Sequence, residues 1–243
     1  MAITDPDIIT RLQKDILGWQ GLKQSSNNCL IDAALGPIKM AFPNGSFPSG
    51  AIHEFISMGP EATAATGGFI GVLLASLMQA NGTSVWISAS RNIFPPALKS
   101  FGLKADKIIF VDLKKEKEIL WVMEEALKCN GLSAVIGEMQ ELDFTASRRL
   151  QLAVEQSKVT GFILRRNPKN INTTACVSRW KITPLPADSS SGMPGVSYPR
   201  WNVSLLKVRN GKPDAWQIEF AAGRLRQINR PGAISLNQKK KAG

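Results

Sequence analysis

Short runs of apolar residues alternate with helix-forming segments along the middle of the chain. Strand-like runs occupy residues 51–57, 84–89, 107–112, 132–136 and 159–164. Helical spacing of apolar positions is found between them, over residues 66–80, 95–101, 116–128 and 143–156, and Asp143 is the expected N-cap of the last of these helices. Buried strands separated by helices predict a mostly parallel sheet with helices on both of its faces, and therefore an α/β fold.

The pattern changes after this central region. Residues 175–183, 203–209 and 216–220 alternate apolar and polar side chains, as half-buried antiparallel strands do. We therefore predict an N-terminal helix, a core, a flexible loop, C-terminal antiparallel strands and a basic disordered tail. Their predicted bounds are residues 1–24, 42–183, 184–200, 201–222 and 223–243, respectively. The loop is predicted from its Pro, Ser and Gly content, and the tail from its lack of apolar periodicity.

Positive charge is concentrated in the C-terminal part of the chain. The formal net charge is +11, yet residues 1–143 contain 12 Lys and Arg against 15 Asp and Glu. Residues 144–243 contain 18 Lys and Arg against 4 Asp and Glu. Such a basic region can attract a polyanion or an acidic protein surface, although a merely solvated basic surface remains the alternative.

Several classes of protein are disfavoured by composition. The N-terminus is acidic and lacks the apolar segment of a signal peptide, and the apolar stretch at residues 67–80 is too short to span a bilayer. We therefore expect a cytoplasmic protein that does not contact a membrane. The three cysteines are widely spaced, and His53 is the single histidine, so neither a metal site nor a histidine-dependent nucleophile is expected. We expect His53 to be a core side chain.

Residues 59–66 follow a predicted strand and precede a predicted helix, which is the setting of a phosphate-binding loop. They read Gly-Pro-Glu-Ala-Thr-Ala-Ala-Thr, and only Gly59 and Thr66 fit the GxxxxGK[ST] pattern. Ala64 stands at the second glycine position and Ala65 at the lysine position. An alanine cannot neutralise the β- and γ-phosphates, so the sequence predicts a degenerate phosphate loop.

A wider resemblance adds to this interpretation. More than half of the chain resembles the RecA family, and most closely its ImuA branch of error-prone repair proteins; SulA-type division inhibitors look like shorter, more distant relatives. The segments that carry the resemblance are residues 49–55, 121–129, 134–138, 142–153, 161–165 and 179–180. The run TASRRLQLA at residues 145–153 is the most specific of them. The resemblance implies a RecA-like fold.

The resemblance also implies which ATPase groups are missing. Gly59, Pro60 and Glu61 match the start of the RecA phosphate loop, and the position of its lysine falls on Ala65. The catalytic glutamate of RecA falls on Ser90, whose hydroxyl cannot act as a general base. A second acid, associated with the metal in RecA, falls on Glu138. We therefore expect no catalytic residue, no cofactor and no ATPase activity.

Cations that could contact DNA or a partner lie in three places. Arg148 and Arg149 lie opposite the apolar face of a predicted helix, where solvation is the alternative. Arg165, Arg166 and Lys169 follow the fifth predicted strand, in a segment that is similar in position to a DNA-contacting loop of RecA. The remaining candidates are at the end of the predicted tail: Lys239, Lys240 and Lys241.

From the resemblance we expect an adaptor in inducible translesion synthesis that bridges RecA and an ImuB-type, Y-family-like polymerase subunit. Residues 1–24 are the expected contact with RecA, and the C-terminal region is the expected contact with the polymerase subunit. DNA is a further candidate partner. Two alternatives stay open, a SulA-like cell-division inhibitor and a DNA-binding ATPase with weak residual activity.

Overall fold

The computed structural model describes residues 28–78, 82–90, 93–186 and 198–228. Within these residues a single sheet contains nine strands in the spatial order β3-β2-β4-β5-β1-β6-β7-β8-β9. The strands are β1 Ile52–Ser57, β2 Ser84–Ser88, β3 Ile108–Asp112, β4 Ala134–Met139, β5 Thr160–Arg166, β6 Ser178–Pro184, β7 Arg200–Val208, β8 Asp214–Ala221 and β9 Arg224–Gln227. The first six strands in this order pair in parallel, and the last three add antiparallel pairs.

Helices cover both faces of the sheet. The α-helices are α1 Cys29–Leu35, α2 Gly59–Met78, α3 Glu116–Leu127 and α4 Phe144–Ser157, and the 3₁₀ segments are Gly36–Ala41, Pro43–Gly45, Pro95–Phe101 and Ala105–Lys107. Helices α1 and α2 contribute to one apolar cluster, and α3 and α4 contribute to another. This arrangement confirms the predicted α/β fold. Helix α4 also begins as predicted, because the carboxylate of Asp143 accepts a hydrogen bond of 2.7 Å from the backbone N–H of Ala146.

Helix α2 is the central helix of the domain. It is long and apolar enough to cross a membrane, as judged by length and composition, but 67% of the relevant window is buried inside the fold. Phe69, Ile70 and Leu73 are fully buried in the cluster that α2 shares with the sheet. Its apolar character is therefore that of a core helix.

Strand β6 joins the parallel and antiparallel parts of the sheet. We predicted it as an antiparallel strand, but it pairs in parallel with β1 and antiparallel with β7. Within β6, Arg179 lies opposite Glu54 of β1 on one side and opposite Lys207 of β7 on the other. The C-terminal strands therefore continue the core sheet.

Two segments differ from the sequence-based expectations at the ends of the core. Helix α1 was not predicted; its Ile31 and Leu35 are buried in the apolar cluster. Strand β9 lies in the segment predicted as a disordered tail, and that prediction is wrong for these residues. Leu225 is buried at 4% exposure and pairs with Phe220, but one apolar residue is too little to produce a recognisable period. The predicted helix at residues 1–24, most of the predicted loop and residues 229–243 lie outside the described residues.

Candidate functional site: the altered phosphate-loop region

Helix α2 begins at the edge of the sheet where the parallel strands have their carboxyl ends. Ligands of open α/β sheets bind at this edge, so it is where a nucleotide site would lie. Strand β1 ends at Ser57, and α2 begins two residues later at Gly59. The connection between strand and helix is thus a single residue, Met58.

The expected phosphate loop is helical in this protein. Residues 59–66 form the first two turns of α2, so the prediction of a loop there is wrong. Gly59 has a positive φ of 83°, and its N–H donates a hydrogen bond of 2.8 Å to the side-chain oxygen of Asn167. Three alanines within the segment favour the helix, because alanine has the highest helix propensity. Past the first turn, backbone N–H groups are used inside the helix and cannot cradle a phosphate.

The threonine hydroxyls in this segment also bond within the helix. Thr66 Oγ1 donates to the carbonyl oxygen of Ala62 at 2.7 Å, and the Thr66 side chain is fully buried. Thr63 Oγ1 donates to the carbonyl oxygen of Gly59 at 2.9 Å. The hydroxyl that the resemblance aligned with the Mg²⁺ ligand of RecA therefore faces the preceding turn of its own helix.

The two alanines of the altered motif lie on different faces of α2. Ala65, at the lysine position, is 7% exposed and belongs to the apolar core that includes Phe69. Ala64 is exposed and lines a cavity together with Pro60 and Gly67. A side chain at position 65 therefore points into the protein and away from the cavity where a phosphate would lie.

Glu138 ends in the same cavity and is held by two neighbours. Its Oε1 accepts a hydrogen bond of 2.7 Å from the indole N–H of Trp86, and its Oε2 lies 3.4 Å from Nε of Arg166. Burial raises the pKa of the Glu138 carboxyl, against the opposing effects of Trp86 and Arg166. Oε2 accepts no hydrogen bond from the described residues, so its contact with Arg166 is an ion pair without a hydrogen bond. Ser90, at the position of the catalytic glutamate, accepts a hydrogen bond of 2.9 Å from Arg166.

Arg165 is a structural cation, which corrects the prediction that it contacts DNA or a partner. Its side chain is fully buried and pairs with Glu54 at 2.8 Å and with Glu141 at 3.2 Å. Glu54 is also fully buried, and its second oxygen accepts bonds of 2.8 Å from Arg179 and 2.9 Å from Thr174. Sequence reasoning missed this network, although an acid within a fully buried strand requires cationic partners.

The other candidate cations keep their surface positions. Arg148 lies 3.5 Å from Glu155, and Arg149 lies 2.5 Å from Glu124, with both arginines about half exposed or more. Lys169 is exposed. Arg166 is half-buried and engaged with Glu138 and Ser90, as described above. The cations Lys239, Lys240 and Lys241 lie outside the described residues, so contact of the tail with DNA or a partner stays a prediction.

His53 is a core side chain, as predicted. Its ring nitrogens lie 2.7 Å from Ser178 Oγ and 3.0 Å from the carbonyl oxygen of Pro48, and the ring stacks on Phe47. Trp180 donates its indole N–H to the same Ser178 hydroxyl at 2.7 Å. Burial lowers the pKa of His53 to about 3, so the imidazole is neutral at physiological pH. In the described ranges, no group of three or more His, Cys, Asp or Glu side chains could hold a metal ion.

A cavity of about 780 Å³ occupies this edge of the sheet. It is lined by the first three turns of α2 and by the 3₁₀ segment Pro95–Phe101. Trp86, Glu138 and Leu164 form its floor, and Arg166 and Glu116 lie at its side. The cavity is thus present, but its lining differs from that of a nucleotide site.

Comparison with known proteins identifies relatives that match most of this chain. No family model matches the chain. Two proteins named Protein ImuA, from Caulobacter vibrioides strains NA1000 / CB15N and ATCC 19089 / CIP 103742 / CB 15, are 34% identical to it over 190 residues. These residues represent 73% of this chain and 78% of each relative. Cell division inhibitor SulA from Photorhabdus laumondii is 29% identical over 111 residues, which represent 44% of this chain and 63% of that protein.

A solved structure supports the fold. The crystal structure of the RadB recombinase superposes on this chain with a TM-score of 0.54 and a sequence identity of 11%. The superposition covers 85% of this chain and 100% of the RadB chain. At this identity the likeness concerns the fold alone, and it confirms the RecA-like architecture. The length and identity of the match to the Caulobacter proteins show that the chain belongs to the ImuA family of error-prone DNA-repair proteins.

Proposed function

We propose that this protein is a non-catalytic RecA-like adaptor in inducible translesion synthesis. The observation that carries the proposal is the helical start of α2, which begins at Gly59 and includes the whole segment expected to bind phosphate. The Thr66 hydroxyl bonds within that helix, and Ala65 faces the core. The altered region therefore lacks the backbone loop, the lysine and the available hydroxyl with which RecA-type ATPases hold Mg²⁺-ATP.

The charges around the cavity support the same proposal. A triphosphate would face the carboxylates of Glu138 and Glu116, which repel it. Among the described lining residues Arg166 is the one cation, and its guanidinium is already engaged by Glu138 and Ser90. Since Ser90 also replaces the carboxylate that would activate water, neither nucleotide binding nor hydrolysis is expected.

An adaptor needs surfaces for its partners, which we propose to be RecA and an ImuB-type polymerase subunit. Residues 1–24 are the proposed contact with RecA, because in RecA a helix at this place docks onto the neighbouring protomer. The C-terminal region is the proposed contact with the polymerase subunit. Burial alternates along β7, so this part of the sheet has one exposed face, and Lys181, Arg224 and Arg226 add positive charge there. A basic face fits an acidic protein surface or DNA.

The contact with RecA is tested by deletion. We expect the full chain to retain RecA in a pull-down after DNA damage, and a variant lacking residues 1–24 to lose it. The matched control is a full-length chain with charge-neutralised Lys239, Lys240 and Lys241, which keeps the N-terminal segment and should keep RecA. Undiminished RecA binding by the deletion variant would contradict this assignment, and absence of RecA from the full-length sample would contradict the bridging role.

The contact with the polymerase side is tested by affinity purification after DNA damage with the full chain and with a chain that ends at residue 238. We expect the shortened chain to recover less DNA or less of the polymerase subunit, because three adjacent cations are lost. A nuclease treatment before elution separates the two partners. Equal recovery of both partners by the two chains would contradict a role for the tail.

The SulA relative supports a second candidate function, inhibition of cell division. The match is 29% identical and covers 44% of this chain and 63% of that protein. A division inhibitor would cause filamentation when it is overproduced in undamaged cells. We expect no filamentation, together with a loss of damage-induced mutagenesis when the protein is absent; the opposite pair of results would favour the division inhibitor.

A further inference from the structure

The cavity at the edge of the sheet is a formed site whose chemistry differs from that of a nucleotide pocket. Its volume, about 780 Å³, is within the range of small-molecule sites. Small residues on one face of α2, among them Thr63, Ala64 and Gly67, leave the space open. Opposite them, Phe94, Leu98 and other apolar residues of the Pro95–Phe101 region give the cavity an aromatic and aliphatic wall.

One polar group at the floor lacks a hydrogen bond. Glu138 is 3% exposed, and its Oε2 receives no hydrogen bond from the described residues, although Arg166 Nε lies 3.4 Å away. Buried polar atoms are nearly always satisfied, and an unsatisfied carboxylate oxygen is costly. Its other oxygen is fixed by Trp86, so the orientation of the carboxyl group is set. Oε2 is therefore a preoriented acceptor in a cavity that is lined by apolar residues and by a few polar and charged ones, among them Glu116 and Arg166.

We propose that this cavity binds an aromatic or aliphatic group that carries a hydrogen-bond donor, such as an amine, an amidine or a guanidine, with the donor on Oε2 of Glu138. The apolar part of the ligand lies between the small-residue face of α2 and the aromatic wall. Among the charged lining residues that the structure describes, Glu116 and Glu138 outnumber Arg166, so a cationic donor is favoured and an anionic ligand is repelled. The binding chemistry stands independently of the adaptor role, and only the test of the ligand's source rests on the proposed polymerase partner.

The chemistry of the ligand can be supplied by a free amine or by a side chain of a partner protein. In both cases the recognition is the same, because one donor meets Glu138 and one apolar group fills the space beside Gly67. Phenethylamine is a suitable probe, and phenylacetate is its anionic counterpart of nearly equal size. The indole N–H of Trp86 is a local reporter, since it bonds directly to Glu138.

The experiment is a titration of the full chain with each probe, followed by two-dimensional NMR of the indole N–H groups. The Trp86 signal is assigned with Trp86→Phe. We expect phenethylamine to shift this signal with a millimolar dissociation constant, as befits so small a ligand, and to bind at least about tenfold more tightly than phenylacetate. Equal binding of the two probes, or no shift of the Trp86 signal by phenethylamine, would overturn the proposal.

Two variants locate the site. Glu138→Gln keeps the size of the side chain and an acceptor for Trp86 but removes the carboxylate acceptor, so it should weaken phenethylamine binding about tenfold. Gly67→Leu should fill the cavity, because a Cβ at Gly67 meets only Ile93 at an ordinary 3.7 Å. Gly131→Leu is the matched control, since nothing lies within 4 Å of its Cβ. Unchanged binding by both site variants would contradict the assignment.

A final comparison identifies the source of the ligand. If Gly67→Leu also loses the polymerase subunit in an affinity purification while Gly131→Leu keeps it, a partner side chain fills the cavity. If the subunit is kept and only phenethylamine binding is lost, the ligand is a free amine. Both results support the proposed chemistry, whereas retention of phenethylamine by Gly67→Leu would contradict it.

Discussion

The hydroxyl of Thr66 donates a 2.7 Å hydrogen bond to the carbonyl oxygen of Ala62, one turn earlier in the same helix. In the pattern of a phosphate loop, this threonine would hold Mg²⁺. Here the helix begins at Gly59, seven residues before Thr66, so it includes the segment expected to be a loop as well as the threonine. We therefore propose that the helical backbone of this segment, together with the missing lysine and glutamate, prevents ATPase function.

Restoring the lysine alone should not restore nucleotide binding. Ala65→Lys places a charged group in the apolar core, so we expect a loss of about 2–4 kcal/mol of folding free energy and no binding of Mg²⁺-ATP. Ala64→Lys is the matched control, because Ala64 is exposed and lines the cavity; its stability should change by less than about 0.5 kcal/mol. Chemical denaturation measures both values. A stable Ala65→Lys variant that binds ATP would contradict the position of residue 65.

The buried network around Glu54 should dominate the electrostatic contribution to stability. Glu54→Gln leaves Arg165 and Arg179 without their carboxylate, and we expect a loss of about 3–5 kcal/mol. Glu124→Gln breaks a pair with the exposed Arg149, so its cost should be below about 1 kcal/mol. Urea denaturation of the two variants at one pH gives the comparison. Similar small losses of stability in both variants would show that other groups, such as Glu141, compensate the buried charge of Arg165.

His53 should make the folded state less stable in acid. Its folded pKa is lowered to about 3 from 6.5, so the unfolded state binds more protons between these two values. Stability from this group is therefore complete above the unfolded pKa and is lost as pH falls, by about 1.4 kcal/mol per pH unit. Denaturation of wild type and His53→Gln at several pH values isolates the contribution. Parallel stability curves for the two proteins would contradict a neutral, buried imidazole.

The start of helix α2 should depend on the glycine at its first position. Gly59 has a φ of 83°, which side chains other than glycine rarely adopt, so Gly59→Ala should cost about 1–2 kcal/mol. Gly131→Ala has open space around the new Cβ and serves as the control. Thermal melting of the two variants provides the measurement. A Gly59→Ala variant as stable as the Gly131→Ala control would indicate that the first turn of α2 can rearrange without cost.

The sequence predicted those elements whose patterns are local. Alternation of apolar strands and helices was sufficient for the parallel core, and Asp143 marked the start of α4 because N-caps act on the adjacent turn. The mixed pairing of β6 could not be predicted, since strand neighbours are set by tertiary packing. Strand β9 was missed because Leu225 is its one buried apolar residue.

The altered residues of the site could be identified in the sequence, whereas the geometry around them could not. The substitutions at positions 65 and 90 could be identified by position, because the motif has a fixed spacing. The helical state of residues 59–66 was missed, since a motif comparison assumes the loop of the family it is taken from. Arg165 was assigned to the surface because the fifth strand was predicted to end at residue 164, whereas its burial depends on Glu54, more than 100 residues away in the chain.

Calorimetric titration of the full chain with Mg²⁺-ATP tests the central claim most directly. Because residues 59–66 are helical and the nearby carboxylates repel phosphate, we predict no saturable heat up to millimolar ATP and no phosphate release above background. Saturable binding in the micromolar range, or hydrolysis that depends on the protein, would contradict the account of a RecA-like fold that has lost its nucleotide site.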